Sequence, residues 1–341
     1  MLKVSYSVET EASRLYLTTI KHILNGFFTK NNWYVIQMGI NYKIMDPVVI
    51  LPKLNYRPII KKYWVNGFLE KQYENDEKII TKYLVSELIR TQTFTEISTK
   101  ELNKLQKTYE NILKKVLQKT YQVLDYIKPG YVDINIYPSY LSTCGSFSVC
   151  NPSDEKKVIN LMPRLDVFKE SIVELFASSI TRAVLDKNPN ISWRETESVS
   201  DFLTKYVYGY KNYRGTLDIV TEYNPQLMHQ SLSYLMELGF PTGQFIEYNQ
   251  DNHQLAVGGN DLSQILSPYE IRLVEALVKC KSKTLSYDAI AEELYNSHAD
   301  VKFSLWGITK TVQRVRDKLE KYGIPRGVIR NIKGEGFELV A

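Results

Sequence analysis

Glycine and proline residues interrupt the chain at positions 239–243, directly after a segment of helical hydrophobic periodicity at 226–238. Such residues end helices and strands, so they indicate a boundary between folding units. A chain of 341 residues has room for two or three domains of about 150 residues each. We therefore predict one domain at 1–240 and another at 243–341. The predicted fold class is α+β, with a helix-rich first domain.

The composition excludes several classes of protein. Hydrophobic residues make up 44% of the chain and charged residues 24%, which is ordinary for a globular protein and not for a disordered or collagen-like one. Uncharged stretches fall short of the roughly 20 apolar residues that span a bilayer, and acidic residues precede any long apolar run at the amino terminus. Three cysteines are too few for a disulfide framework. We expect a soluble, cytoplasmic protein with neither a signal peptide nor a membrane partner.

The first predicted domain contains an element order that is found in a class of enzymes. The predicted strands lie at 132–137, 143–150 and 157–161, and the predicted helices that follow lie at 164–185 and 193–206. Over residues 130–206 this order resembles the core of zincin-type metallopeptidases, where a helix bearing His-Glu-x-x-His follows an edge strand. A Glu on the next helix completes the zinc site of that family. The alternative is an α+β domain with no relation to it.

The metal ligands of that family are missing at the matching positions. Ser178 and Ser179 stand where the first His and the Glu would be, Arg182 stands where the second His would be, and Glu197 alone could represent the third ligand. Two imidazoles four residues apart place two nitrogen ligands on one helix face, and a catalytic zinc needs about three protein ligands. The sequence therefore predicts no metal site, no cofactor and no catalytic residues, and the protein is expected not to be an enzyme.

The second predicted domain begins with short strands at 245–248 and 254–257 and then shows a strong helix start. Ser267 is a favourable N-cap, Pro268 is a preferred first helical residue, and Glu270 completes a capping box. The elements predicted after this helix are a helix at 284–294, a loop at 295–302, a basic helix at 304–320 and a hairpin at 328–339 with a Gly-x-Gly-Phe turn.

In this order and spacing, residues 243–341 resemble the winged helix-turn-helix DNA-binding domain of OmpR/PhoB-type transcriptional regulators. The resemblance implies that the helix at 304–320 enters the major groove of double-stranded DNA and that the hairpin at 328–339 is the wing. The charge distribution agrees with this. The net charge of the chain is only +5, yet residues 303–321 hold five basic against two acidic residues, and a helix of this width fits the major groove.

Apolar residues at helical spacing predict which side of the basic helix is buried. The predicted buried stripe consists of Ile308, Val312, Val315 and Leu319. The residues left to point outward, and predicted to bind DNA, are Lys310, Thr311, Gln313 and Arg314. Of these, Arg314 with Lys310 and Thr311 is predicted to read base edges. Trp306 has two interpretations that stay open: packing on the domain's sheet, or stacking on the sugar–phosphate backbone.

Three further residues are predicted to bind phosphates, namely Arg316, Arg330 and Asn331, and Lys333 at the tip of the wing is predicted to enter the minor groove. The alternative for Arg316 is an ion pair within the domain, because Asp317 and Glu320 lie close by in sequence.

Regulators of this family usually carry a phospho-receiver domain before the winged helix. Residues 1–240 lack its βα repeat with acidic residues, a phosphorylatable Asp and a Lys at strand ends. We therefore expect a one-component, sequence-specific regulator that forms a homodimer and receives its signal, a peptide or protein ligand, through this first domain. Two alternatives remain open: a metal-dependent hydrolase fused to a DNA-binding module, and a structural protein that binds DNA without sequence preference.

Overall fold

The computed structural model describes residues 2–40, 47–65, 68–69, 77–124, 130–153, 156–166, 169–185, 192–211, 213, 215, 223–242, 246–249, 254–257, 260–280, 284–295 and 304–340. These residues form a mixed structure of helices and small sheets. Position 243, the predicted start of the second domain, and nearly all of the predicted loop at 295–302 lie outside the described residues.

The chain forms two compact units, which are not contiguous in sequence. The first unit comprises residues 1–19, 38–52 and 77–221, and the second comprises residues 20–37, 53–76 and 222–341. This grouping differs from a division into 1–240 and 243–341, because two early segments and residues 222–242 pack with the carboxyl-terminal part of the chain.

Helices make up most of both units. The α-helices are α1 (Val8–Arg14), α2 (Lys21–Leu24), α3 (Phe27–Lys30), α4 (Arg57–Tyr63), α5 (Glu77–Arg90), α6 (Thr99–Val123), α7 (Lys169–Val184), α8 (Trp193–Phe202), α9 (Pro225–Leu238), α10 (Pro268–Lys279), α11 (Tyr287–Tyr295) and α12 (Leu305–Lys321). Two π-helical segments, Leu15–Ile20 and Leu203–Val207, continue α1 and α8, and a 3₁₀ turn covers Arg326–Val328.

The strands are short. They are β1 (Leu2–Val4), β2 (Tyr34–Gln37), β3 (Val48–Leu51), β4 (Trp64–Val65), β5 (Phe68–Leu69), β6 (Val132–Ile136), β7 (Gly145–Ser153), β8 (Lys156–Pro163), β9 (Ile246–Asn249), β10 (Gln254–Val257), β11 (Asn260–Asp261), β12 (Leu285–Ser286), β13 (Ile329–Ile332) and β14 (Gly336–Leu339). The helices and strands predicted from the sequence within 130–206 and after residue 245 have counterparts here, with ends that differ by a few residues.

The first unit is built on a four-stranded sheet with the order β1-β6-β8-β7. Strand β6 runs parallel to β1 and β8, whereas β7 is antiparallel to β8 and lies at the edge. The predicted strand at 143–150 is therefore present as β7, at the edge of this sheet among the described strands. Alternating side chains such as Ile134 and Leu161 join a hydrophobic core with residues of α6 and α7, including Leu113 and Phe176.

The opposite face of this sheet is polar. Asn135 Nδ2 donates a hydrogen bond to Asn160 Oδ1 at 3.0 Å, and Asn160 Nδ2 donates to Ser148 Oγ at 3.2 Å. Because side chains alternate across a strand, one face of the sheet can pack on helices while the other carries hydrogen-bonding groups.

The second unit contains two three-stranded sheets, with the orders β11-β10-β9 and β12-β14-β13. Helix α10 begins at the predicted place, with Ser267 as N-cap, Pro268 in the first turn and a complete Ser267–Glu270 capping box. Helices α10, α11 and α12 contact one another and carry the core of this region. Strand β12 pairs with β14, which in turn pairs with β13 to form the hairpin.

Helix α9 and strand β2 also belong to the second unit. Val35 N donates to Ser231 Oγ at 2.8 Å, and Asn224 N donates to the Tyr34 hydroxyl at 2.8 Å. Thr242 N donates to the carbonyl of Val340 at 3.2 Å. Residues before position 243 thus support the region that holds the basic helix and the hairpin.

Candidate functional site

The basic helix α12 is fixed by its cap and by its apolar face. Ser304 Oγ accepts a hydrogen bond from Gly307 N at 3.2 Å. The side chains of the predicted buried stripe, Ile308, Val312, Val315 and Leu319, are each at most 2% exposed. The sequence therefore predicted correctly which face of this helix is buried, and the opposite face is left outside.

That outward face presents one aromatic and two basic side chains at a spacing of four residues. Trp306 is 71% exposed, Lys310 is exposed, and the side chain of Arg314 is 65% exposed. Lys310 Nζ lies 5.7 Å from the centroid of the Trp306 ring. We call these three residues the basic stripe. Packing of Trp306 on a sheet, one of its two interpretations, is wrong, because the ring is largely in solvent.

Thr311 does not point outward, which corrects the prediction from the sequence. It is only 5% exposed, and its hydroxyl donates to the carbonyl of Gly307 at 2.9 Å. The same oxygen accepts a hydrogen bond from Arg314 Nη2 at 3.2 Å. A short Thr side chain can bond to its own helix backbone in this way. Thr311 therefore orients Arg314 from below.

Glu270, which the sequence singled out only as a cap, also organises the basic residues. It is 3% exposed, and its carboxylate lies 2.7 Å from Lys318 Nζ and 3.9 Å from Arg314 Nε. Burial acts to raise the pKa of Glu270, but hydrogen bonds from Lys318 and from Ser267 prevail and hold it below its ordinary value. Sequence reasoning missed this contact because Glu270 and Lys318 are 48 residues apart.

The remaining polar residue of the outward face is constrained within α12. Gln313 is half-buried, and its Nε2 donates to Asp317 Oδ1 at 3.0 Å. Its predicted role in DNA binding remains a prediction.

Arg316 connects α12 to the hairpin. Its Nε and Nη2 donate to the carbonyl of Ile329 at 3.1 and 2.6 Å, and its guanidinium lies 5.7 Å from the Phe337 ring centroid. Burial, with a smaller contribution from the charge of Arg326, lowers the pKa of Arg316.

The alternative ion pair of Arg316 with Asp317 or Glu320 is wrong. Both carboxylates bind Arg326 instead, and the Arg326 Nε–Glu320 Oε2 distance is 2.8 Å. The 3₁₀ turn that carries Arg326 brings it over the end of α12, which sequence spacing alone does not indicate.

The three hairpin residues of the predicted site are exposed. Arg330 Nε donates to Glu338 Oε1 at 2.6 Å across the strands, and Asn331 Oδ1 accepts a hydrogen bond from the Tyr287 hydroxyl at 3.3 Å. Lys333 lies in the turn between β13 and β14. No ion pair joins Lys310 or Lys333 to another of the described residues.

The residues at the predicted zincin-type ligand positions belong to α7 and α8 of the first unit. Arg182 and Glu197, which match the second and third ligands of that family, form an ion pair with each other. The Arg182 guanidinium also lies 4.8 Å from the Phe147 ring centroid, and the hydroxyls of Ser178 and Ser200 are 3.0 Å apart. Burial raises the pKa of Glu197 to about 7, against the opposing effect of Arg182.

The structure offers no metal-binding group of three or more His, Cys, Asp or Glu side chains among the residues it describes. Within the same part of the chain, each helix is too short or too polar to cross a bilayer. A scan against models of protein families gives no match to this chain, and a search of curated proteins finds no relative.

Proposed function

We propose that the protein is a sequence-specific, DNA-binding transcriptional regulator whose winged helix-turn-helix lies in residues 243–341. The observation that carries this proposal is the basic stripe, Trp306, Lys310 and Arg314, on the solvent face of a helix whose other face is fully packed. An α-helix fits the major groove of B-DNA, and helices of this motif read base edges with their amino-terminal residues.

In this proposal Arg314 and Lys310 contact base edges, and Trp306 contacts the sugar–phosphate backbone. Arg330 and Asn331 contact phosphates, and Lys333 enters the minor groove. Arg316 supports the hairpin from α12, since its Nε and Nη2 donate to the carbonyl of Ile329, and its predicted phosphate contact stays part of the proposal.

The proposal includes a cytoplasmic location, a homodimer and no metal or cofactor. The protein is proposed to act without catalysis and without phosphorelay. The carboxylate of Glu197 pairs with the guanidinium of Arg182. This pair supports the proposal that the first unit is not a peptidase, because the positive charge of Arg182 would repel a zinc ion at this position.

A selection of random duplex DNA by the full-length protein tests the proposal. We expect an enriched sequence motif, together with binding that weakens steeply with salt as phosphate counterions are released. Binding without an enriched motif would favour the structural DNA-binding alternative. Absence of DNA binding at low salt would refute both.

The hydrolase alternative is tested by elemental analysis of the full-length protein purified without chelator. We expect less than stoichiometric zinc. Stoichiometric zinc that is lost in a Glu197→Gln variant would restore the hydrolase alternative, because this carboxylate is the one surviving match to the ligands of that family.

A further inference from the structure

The first unit contains a pocket of about 560 Å³, which is within the range of small-molecule sites. Its walls are α1 with the π-helical segment after it, α5, and the polar face of the sheet near Ser148 and Asn160. Every lining residue belongs to the first unit. The basic stripe belongs to the other unit, so the pocket and the proposed DNA-binding surface share no residue.

Two of the lining residues carry buried polar atoms without a hydrogen-bond partner. Arg14 is 3% exposed, and its Nη2 donates to the carbonyl of Thr143 at 3.1 Å. Its Nε and Nη1, and the hydroxyl of Thr81 on α5, are buried with no hydrogen-bond partner among the described residues. Burying such atoms without a partner is unfavourable, most of all for charged groups, so three of them, on two residues beside one pocket, indicate that something else satisfies them.

Glu11 balances part of the charge of Arg14, because each group favours the charged form of the other. Glu11 is itself buried and accepts a hydrogen bond from Ser139 Oγ at 2.8 Å, and burial raises the pKa of Glu11. Burial also lowers the pKa of Arg14, to about 10, so Arg14 still carries its positive charge at neutral pH. A second buried arginine, Arg164, pairs with Asp166 at 2.6 Å.

The rim of the pocket limits the charge of a ligand. Lys78 and Lys82 line it from α5 and are exposed, and Glu9 and Glu77 line the same space. With Arg14, the five groups give one net positive charge. This balance favours a ligand with a single anionic group over a multiply charged phosphate.

We propose that this pocket binds a small ligand through a carboxylate, which lies against Arg14 and Thr81. The carboxylate belongs either to a small organic acid or to the free carboxyl end of a short peptide. Charge-assisted hydrogen bonds from a buried guanidinium to a carboxylate are among the stronger ones in proteins. The proposal does not depend on DNA binding.

Calorimetric titration of the full-length protein tests the pocket with three probes: benzoate, tri-alanine, and tri-alanine amide. We expect saturable binding of benzoate or of tri-alanine, which distinguishes the two sources of the carboxylate. Tri-alanine amide, which lacks the carboxylate, is expected to bind at least about tenfold more weakly than the better of the two. The proposal is overturned if neither acid binds saturably, or if the amide equals the better acid.

Two variants assign the binding to the pocket. Arg14→Gln is expected to lower the affinity for the acid by about tenfold or more. Thr81→Val removes an unsatisfied hydroxyl while keeping the shape of the side chain. We therefore expect the variant to have an unchanged or higher melting temperature without ligand, and to bind the acid more weakly than the wild type. Arg90→Gln, on the same helix but outside the pocket lining, is the matched control and should bind like the wild type. Unchanged affinity in Thr81→Val would overturn the site even if Arg14→Gln failed to fold.

Discussion

Arg314 and Arg316 lie two residues apart on α12, yet their surroundings differ. The side chain of Arg314 is 65% exposed, and its Nε lies 3.9 Å from the carboxylate of Glu270. Arg316 is half-buried and gives two hydrogen bonds to the carbonyl of Ile329. Because successive residues of a helix point about 100° apart, a shift of two positions moves a side chain from the outward face to the flank that meets the hairpin.

The first prediction separates these two arginines. Arg314→Ala should cost about 1–3 kcal/mol of DNA binding and relax the preference at one base position, with little change in melting temperature. Arg316→Ala should lower the melting temperature, because the Ile329 carbonyl loses a charged donor. Lys321→Ala, which removes a charge from the far end of the same helix, is the control and should lower the affinity for all DNA sequences slightly. An unchanged motif and affinity in Arg314→Ala would refute the proposed recognition face.

The second prediction concerns the pH dependence of stability. Burial raises the pKa of Glu197 from 4.5 to about 7, so between these values the folded state binds a proton that the unfolded state has released. The free energy of unfolding should therefore fall as the pH rises from 4.5 to 7. Glu197→Gln removes this titration and should flatten the dependence, as measured by urea unfolding at pH 5 and pH 8.

Glu195→Gln is the matched control for this measurement. Hydrogen bonds from Ser192 lower the pKa of Glu195, so its contribution to stability is complete above 4.5 and is lost only at lower pH. The Glu195→Gln variant should show the same difference in the free energy of unfolding between pH 5 and pH 8 as the wild type. A Glu197→Gln protein with that same difference would show that the carboxylate of Glu197 is ionised throughout.

At the scale of elements, the hairpin β13–β14 depends on two glycines with different surroundings. Gly334 has a φ of +81° and open space where a side chain would be, whereas Gly336 has a φ of +156° and faces the backbone of Leu285 in β12. A Cβ at Gly336 would overlap the carbonyl oxygen of Leu285. The Gly-x-Gly-Phe sequence thus serves a turn at its first glycine and a close approach of strands at its second.

The third prediction follows from this difference. Gly334→Ala should cost about 1–2 kcal/mol of stability, the strain of a left-handed residue, and leave the hairpin formed. Gly336→Ala must also separate β12 from β14, so it should lower the melting temperature further and weaken DNA binding. Thermal unfolding of the two variants and their DNA affinities provide the comparison. Equal losses in both would contradict the strand contact at Gly336.

At the scale of the whole molecule, the two compact units interleave along the chain. The region around α12 is held partly by residues that precede it by about one hundred positions or more. Tyr223 hydroxyl bonds to the carbonyl of Tyr322, and the backbone of Pro225 approaches Gly323 so closely that a Cβ there would overlap it. Stability of the proposed DNA-binding region is therefore shared with segments outside residues 243–341.

The fourth prediction tests this sharing with two fragments. Residues 223–341 should unfold at a higher temperature than residues 243–341, because the longer fragment keeps α9 and its contacts with Tyr322 and Gly323. The full-length chain should be more stable than either in this region, since it also supplies β2. Calorimetry of the three proteins, with DNA affinity as a second readout, measures the difference. Identical melting of both fragments would show that α9 adds nothing.

Local features of this protein could be predicted from its sequence. The capping box at Ser267, the stripe Ile308, Val312, Val315 and Leu319, and the strand VDINIY at 132–137 were all predicted and are confirmed. Each depends on residues within a few positions of one another, or on the alternation of side chains, which a helix or strand imposes by its own geometry.

Only the tertiary structure decided which polar groups meet. In the structure Thr311 is buried, and Arg182 pairs with Glu197. Arg316 donates to the carbonyl of Ile329 rather than pairing with Asp317 or Glu320. The tertiary structure also placed Arg14 against Thr143, a residue 129 positions away, and divided the chain into interleaved units. Long side chains have many partners within reach along the sequence. The choice among them depends on which backbone segments pack together, and packing is a property of the whole fold.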